Sequence, residues 1–528
     1  MTSLTTPLRP RPPTVVGAPP VGGRPRRLAT VAGATGVAWT AIVAARLFVG
    51  GAVGMGDQGD ARRLLCQLGV RSTTPFNEST SAFLHPTWVA HQWYGEACSA
   101  DGAGGVFRSS QLWLLSMAKH LTAPLGLPGA LDLRAQGVLC ALLVGLVVAA
   151  LVVVLPGRLA LRVTIASLVG LLAADSMVAQ FFISPYSEPI ELLGTLALCP
   201  ALLAMWRRGH TTWPSLAAVG FLATVVIGAK TQAAALLPAL VVAVLWLPHH
   251  RARRRHDTSV PSDWPRLRAR LRWSAARLPG LALCALLFGV TAFFVGTEPV
   301  GLTQQDVYAE VFGQILRHSS DPAADLRSLG ADPKLADAVG TNPESAKAAT
   351  LRPEYLKFRE DVTHADIVKF YVTHPLRLIS TGADGLTGVA HWRQDYLGSY
   401  LPDSGERPGA IENRIGVYGG IFRHAWQPLL VIFWLGTLYV GFSTARHRSL
   451  GGDEQALGRL AVFVVLGSFL DFWAVMISVG YPDLDKHMVL TNVLLALGLP
   501  VMIACCWVRF RHWNARPRTS EGTTVVSA

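Results

Sequence analysis

Residues 135–155 read AQGVLCALLVGLVVAALVVVL. Beyond Gln136 the stretch holds no strongly polar side chain, and a helix of this length runs about 30 Å, the thickness of a bilayer's hydrocarbon core. Moving outward from it with the same ruler, ten apolar spans emerge at about 28–53, 135–155, 163–183, 190–206, 213–229, 231–247, 276–296, 427–443, 460–480 and 487–508. The fifth and sixth share 213–247 with almost no loop between them, so one of them reads equally as a re-entrant segment. The whole chain agrees with this reading. Of its 528 residues 51% are hydrophobic and only 15% charged, and the mean hydropathy is +0.36, far too apolar for a soluble domain. The expected fold class is an all-α polytopic membrane protein with about ten transmembrane helices and two large extracytoplasmic loops.

The loops supply an independent test. With the N-terminus inside, segments 1–27, 157–162, 207–212, 248–277, 444–459 and 509–528 are cytoplasmic and carry 5, 2, 2, 9, 3 and 4 Arg or Lys residues. The long loops on the other side are balanced or acidic, with 6 basic against 6 acidic residues in 54–134 and 13 against 17 in 297–426. Positive charge retained on one side is the orientation signal of membrane proteins. It predicts both termini in the cytoplasm of a multi-pass cell-membrane protein. The net charge of +13 is therefore no sign of nucleic acid, since no basic stripe with interleaved aromatics lies on a soluble module.

The expected domains are a disordered basic tail (1–27), an N-terminal bundle (28–296) with its first outer loop at 54–134, a loop or small domain (297–426), C-terminal helices (427–508) and a cytoplasmic tail (509–528). The apolar run from Leu28 to Val53 is too long for a signal-peptide core and reads as a retained anchor. Within the loops, Gln111 to Leu121 reads as a short interfacial helix and Ala365 to Leu378 as an amphipathic helix, with no convincing series of strands. Five cysteines fall in apolar runs. Cys66 and Cys98 lie in a polar segment, where pairing is open if that segment meets an oxidising compartment.

Four polar clusters interrupt the apolar pattern on the side assigned outward. Gly56-Asp57-Gln58-Gly59-Asp60-Ala61-Arg62-Arg63 follows the first span: two carboxylates three residues apart, set among glycines, with two guanidinium groups behind them. A carboxylate so placed accepts a proton from a hydroxyl, and an arginine holds a phosphate in a forked contact. The bland reading is a solvated loop ending a helix. Asp175 and Phe181-Phe182-Ile183-Ser184-Pro185-Tyr186-Ser187-Glu188-Pro189 close the third span, where two prolines impose a rigid turn. Lys230-Thr231-Gln232 interrupts 213–247, and Tyr481-Pro482-Asp483-Leu484-Asp485-Lys486-His487 opens the last span. Independent accidents would scatter over both faces. Asp471 stands alone in the ninth span without an obvious partner. His85, His91, His391 and His424 lack metal-ligand spacing, and no Gly-rich phosphate loop, nucleophile elbow or haem motif is present.

A layout of acids, amines and guanidinium groups at helix ends suits a substrate whose tail stays in the bilayer while its charged head reacts. An acidic motif in the first outer loop of a multi-span chain resembles the GT-C superfamily of integral membrane glycosyltransferases. More narrowly, GDQGDAR, FISPYSEP, AKTQ and DLDKH resemble the hexose transferases of WsfD type, associated with bacterial cell-surface glycans. The resemblance spans most of 50–500, while 297–426 contributes little. It implies hexose transfer from a polyprenyl-phosphate sugar donor to a glycan or glycolipid acceptor on the outer face of the membrane. Asp57 or Asp60 would be the catalytic base. Arg62, Arg63, Lys230, Lys486 and His487 would bind the donor phosphate, and Tyr186, Glu188 and Asp485 would position sugar hydroxyls. No cofactor is certain, since a divalent cation assists in only some members. A transporter or lipid flippase is the competing class, which places its acids near the midplane, usually between paired repeats. A non-catalytic scaffold that binds a partner through 297–426 would leave the clusters scattered.

Overall fold

The computed structural model describes residues 23–74, 78–94, 98, 106–247, 276–343, 345–392, 396–479 and 484–514. Most of the basic tail, the basic loop 248–275, Tyr481 to Asp483 and the last residues lie outside these. Ten apolar helices organise the rest: α1 (Gly23–Phe48), α2 (Leu133–Val154), α3 (Leu159–Ala174), α4 (Glu188–Trp206), α5 (Trp213–Ile227), α6 (Leu237–Leu245), α7 (Leu278–Gly296), α8 (Gln427–Arg446), α9 (Gly452–Ser478) and α10 (Val489–Asn514). Seven of them, α1, α2, α4, α7, α8, α9 and α10, are long and apolar enough to cross a membrane by themselves. An eighth crossing arises if α3 and the following turns through Ile183, bent by 51° against each other, count as one. Helices α5 and α6 are shorter, and the 3-10 turn Thr231–Leu236 between them leaves almost no loop. The protein is a multi-pass helical membrane protein.

The break after α3 has a local cause. Asp175 leaves helical geometry, its Oδ1 accepts the Met177 amide at 3.3 Å, and its Oδ2 accepts the amides of Tyr418 at 2.7 Å and Gly419 at 3.4 Å. The buried acid of the third span is thus a cap that ties this turn to the helix Val417–Arg423. Helix α4 restarts at Glu188 with Pro189 in its first turn, where the missing amide hydrogen costs nothing, and with Glu188 and Glu191 at its positive end.

Helices α1 and α2 cross where side chains vanish. A carbon added at Gly145 would lie 2.0 Å from Thr40 Oγ1 and 2.6 Å from the Gly36 carbonyl, and one at Gly36 would lie 2.7 Å from the Gly145 carbonyl. Small residues four apart on each helix let the backbones touch, which in lipid is a main source of helix association. Gly145→Val is therefore expected to cost about 1–3 kcal/mol, read as earlier thermal unfolding in detergent. Gly289→Val, with nothing within 4 Å, is the control that should melt like wild type.

The first loop is not purely helical. Three short strands, β1 (Val70–Ser72), β2 (Thr87–Ala90) and β3 (Leu131–Asp132), form an antiparallel sheet in that order, with Arg71 opposite Val89 and Thr87 opposite Asp132. They escape a periodicity reading because each is two to four residues long. Asp132 fastens the sheet to the bundle: it accepts from Thr87 Oγ1 at 2.8 Å and caps α2 through the Arg134 amide at 2.9 Å. Cys66 and Cys98 form a disulfide beside it. The expected interfacial helix runs from Gln111 to Thr122.

The second long loop divides. Tyr308, Phe312, Leu326, Leu335, Phe358, Ile367 and Phe370 belong to a separate core. Val389, Trp392, Leu397, Tyr418 and Phe422 join the main core of the bundle instead. The amphipathic stretch from Ala365 is two helices, His364–Thr373 and Arg377–Ala390. The second lies on α9, with Gly382 facing Trp473 and Gly385 facing Phe472.

Candidate active site

The four polar clusters meet at one end of the bundle, at the C-terminal ends of α1 and α5 and the N-terminal ends of α4 and α10. The segment after α1 is threaded between two others: the Gly54 amide donates to the Ser399 carbonyl at 3.0 Å, Met55 to Ile183 at 3.2 Å and Gly56 to Gly398 at 2.8 Å. Gly59, at φ +117°, then turns the chain back in a conformation that side chains resist. Within that turn Asp57 Oδ1 accepts the amides of Gly59 at 3.1 Å and Ala61 at 3.2 Å. Its Oδ2 is buried and meets no hydrogen-bond partner among the described residues.

Asp60 faces the other way. It forms an ion pair with Lys486 from the turn Leu484–His487, and Arg63 Nη1 stands 3.7 Å from its Oδ1. The Lys486 ammonium also lies 4.5 Å from the centroid of the Tyr186 ring, a favourable stacking of charge on an aromatic face. The Tyr186 hydroxyl donates to the Gly56 carbonyl at 3.2 Å. From Lys486 the network continues to its neighbour His487, whose Nδ1 lies 3.0 Å from Lys230 Nζ, and Lys230 reaches Glu188 Oε1 at 3.3 Å. Gln232 clamps the turn by donating to the His487 carbonyl at 2.7 Å and to Asp471 Oδ1 at 3.2 Å, while Thr491 Oγ1 donates to Asp471 Oδ2 at 2.7 Å.

Environment separates the two carboxylates of the first motif. Burial, followed by the nearby charge of Asp60, raises Asp57 to about 6. Asp60 is pulled well below the ordinary carboxylate range, because Lys486 and Arg63 outweigh the cost of its burial. Burial and the flanking lysines hold His487 well below the usual histidine value, so it is neutral and accepts from Lys230. Two like groups pushed apart in basicity in one cleft mark a division of labour between base and electrostatic anchor.

The structure thus brings together Asp57, Asp60, Arg63, Tyr186, Glu188, Lys230, Lys486 and His487. Asp485 sits partly exposed in the same turn as Lys486. Arg62 points elsewhere, its guanidinium 5.0 Å from the Trp93 ring centroid. Sequence reasoning named His85 and Gln232 but gave neither a role in the site: His85 shares a cavity with Asp57, and the partners of Gln232 are distant in the chain. No group of three His, Cys, Asp or Glu side chains able to hold a metal occurs among the described residues.

Residues 27–524 match the family described as the YfdI N-terminal transmembrane domain. The chain belongs to that family. The match runs from α1 past α10, so all four site clusters lie inside the YfdI-type domain. No curated protein matches the sequence. Among solved structures, an archaeal oligosaccharyltransferase, AglB from Archaeoglobus fulgidus, bound to an inhibitory peptide and a dolichol-phosphate, aligns with a TM-score of 0.37 and 13% identity. That alignment covers 92% of this chain and 52% of the other, so the chain spans about half the length of AglB. A TM-score of this size does not establish a common fold.

Proposed function

We propose that this protein is a GT-C-type membrane glycosyltransferase, resembling the WsfD-type hexose transferases, that moves a hexose from a polyprenyl-phosphate donor to a cell-surface glycan or glycolipid at the outer face of the membrane. The observation that carries this reading is the convergence of four distant polar segments on one end of the bundle. There a carboxylate with an uncommitted, buried oxygen stands in one loop with ammonium groups from two other segments. The disulfide between Cys66 and Cys98 favours an oxidising side, in accord with the charge bias of the loops.

In this reading the acceptor hydroxyl attacks the anomeric carbon, and the bond from that carbon to the phosphate oxygen breaks with its electron pair on the lipid phosphate. The hydroxyl proton passes to Asp57 Oδ2. Lys230 and Lys486, with Arg63 behind them, neutralise the charge that grows on the phosphate, which is the most valuable thing a preorganised site does. Asp60 holds Lys486 in place, and Glu188 holds Lys230. Tyr186 fixes the motif from beneath.

Mass spectrometry of surface glycans from a deletion strain tests the proposal directly. Loss of one hexose, with the polyprenyl-phosphate sugar accumulating, is the expected outcome; a profile unchanged by deletion of an expressed gene sinks it. The base also sets the pH profile. Asp57 acts only when ionised, so transfer should be full above about 6 and fall as pH drops through that value, nearly tenfold per unit. An acid limb near the ordinary aspartate range, around 4, would remove Asp57 from the role.

A further inference from the structure

The helices His364–Thr373 and Arg377–Ala390 carry apolar residues on two faces. One face, with Ile367, Phe370 and Tyr371, closes the separate core of the long loop. The polar groups turn toward the same side: the Tyr371 hydroxyl donates to Glu310 Oε1 at 2.6 Å, Arg377 pairs with Asp325 at 2.6 Å and Asp384 with His318 at 2.5 Å. The other face looks away from that core. There Val368 is 48% exposed, Val372 74%, Leu376 78% and Ile379 70%, at the three- and four-residue spacings that share a helix face. The only charged residue exposed between 365 and 383 is Lys369, whose long stem lifts an ammonium clear of an apolar surface. An apolar face of this kind is expensive in water and marks a surface that something covers.

Helix α9 sets the level at which this pair lies. A carbon added at Gly382 would come within 3.2 Å of the Trp473 ring, and one at Gly385 within 2.6 Å of the Phe472 ring and 2.8 Å of Met476 Sδ. Phe472 and Trp473 precede the end of α9 at Ser478 by more than one turn, about 8 Å at the rise of an α-helix. Ala474, Val475, Met476 and Ile477, between them and that end, are all apolar. The contact therefore falls within the apolar length of the span and not above it. Gln427, at the start of α8, donates to Thr387 Oγ1 at 2.6 Å. Beside it Trp426 is exposed, as tryptophans are in the belt where lipid meets water. Leu429 and Ile432, exposed on α8 just beyond this contact, belong to the lipid-facing surface of the bundle, so the apolar face of the pair adjoins a surface already given to lipid.

We infer that the two helices dock on lipid: Val368, Val372, Leu376 and Ile379 lie among the acyl chains of the leaflet on the site's side of the membrane, about 5–10 Å deep, and anchor the separate core of the long loop there. This docking holds whatever the chemistry of the site. It also gives the site an edge against lipid, because Gly388 of the second helix packs on Leu484, in the turn that carries Lys486.

The test uses the full chain in nanodiscs of phosphatidylethanolamine and phosphatidylglycerol, with Cys506→Ser removing the exposed free thiol. Spin labels on Val372→Cys, Leu376→Cys and Ile379→Cys are read for collision with oxygen, which concentrates among acyl chains, and with a water-soluble nickel chelate. Leu435→Cys, exposed on α8, sets the value for lipid, and Arg327→Cys, exposed on the helix Pro322–Ser328, the value for water. The oxygen-to-nickel ratio at all three positions should match that at Leu435 and exceed that at Arg327 severalfold. A ratio equal to that at Arg327 puts the face in water and overturns the docking. Low collision with both reagents means that protein covers the face, either a second copy or another segment of this chain, and overturns it as well. All three side chains are exposed, so the labelled variants should melt like the parent; a position that melts early is set aside and the others decide.

Discussion

Asp57→Asn should lower sugar transfer by on the order of 10²–10⁴-fold, the usual worth of a positioned base, in a protein that melts no earlier than wild type. The two halves of this expectation share one cause. Burial and the charge of Asp60 raise the pKa of Asp57 to about 6 in the folded state, from an unperturbed 3.8. The folded chain therefore binds this proton more tightly than the unfolded chain, and ionising Asp57 at neutral pH costs stability; the cost shrinks as pH falls below the folded value and vanishes below the unfolded one. Asparagine removes the charge and keeps an oxygen for the Gly59 and Ala61 amides. Asp60→Asn should behave differently. Its carboxylate pairs with Lys486, which is 8% exposed, so its loss strands a cation and should lower the melting temperature together with activity. Transfer assays and thermal melts on both variants at pH 7.5 separate the roles. Wild-type transfer by Asp57→Asn would remove the base from the mechanism, and loss of activity in Asp57→Asn accompanied by early melting would make Asp57 a structural residue.

Glu412→Gln is expected to cost about 3–5 kcal/mol of stability. Glu412 forms an ion pair with Arg46 near the end of α1, and both side chains are 1% exposed. Glu412 also accepts the Arg414 amide, and the Arg414 guanidinium in turn donates to the Arg46 carbonyl at 2.9 Å. This knot joins the first span to the segment whose Gly398 and Ser399 hold the loop that carries Asp57. Glutamine keeps the shape and leaves the guanidinium without a counter-charge in a place closed to water. Removing both charges should be far milder, because two apolar side chains avoid the desolvation penalty altogether. In a detergent melt, Arg46→Met/Glu412→Met should lie much closer to wild type than Glu412→Gln. If the single variant melts like wild type, the pair does not hold α1 in place.

The apolar spans were legible because lipid leaves a helix few alternatives: residues 135–155 appear as Leu133–Val154 and 427–443 as Gln427–Arg446. The sheet in the first loop was not, since strands as short as Leu131–Asp132 carry no period and exist only because their partners are close. Asp175 was legible as a buried acid at a bend, though its partners, the amides of Tyr418 and Gly419, lie more than two hundred residues away. Arg62 and Arg63 looked equivalent. One stacks on Trp93 and the other approaches Asp60, a choice made by neighbours that adjacency in the chain cannot specify.

Sequence alone determined that this chain crosses a membrane many times and which polar segments interrupt its spans, because hydrophobic length and charge bias are local quantities that need no partner. It also singled out GDQGD-A-R-R as the place where acids and cations meet. Tertiary structure decided how those groups divide. Asp57 and Asp60 have the same chemistry and nearly the same address, and only the arrival of Lys486 beside one of them, with burial dominating at the other, pushes their basicities in opposite directions. Electrostatic environment depends on distances through space, and those are set by packing between segments hundreds of residues apart.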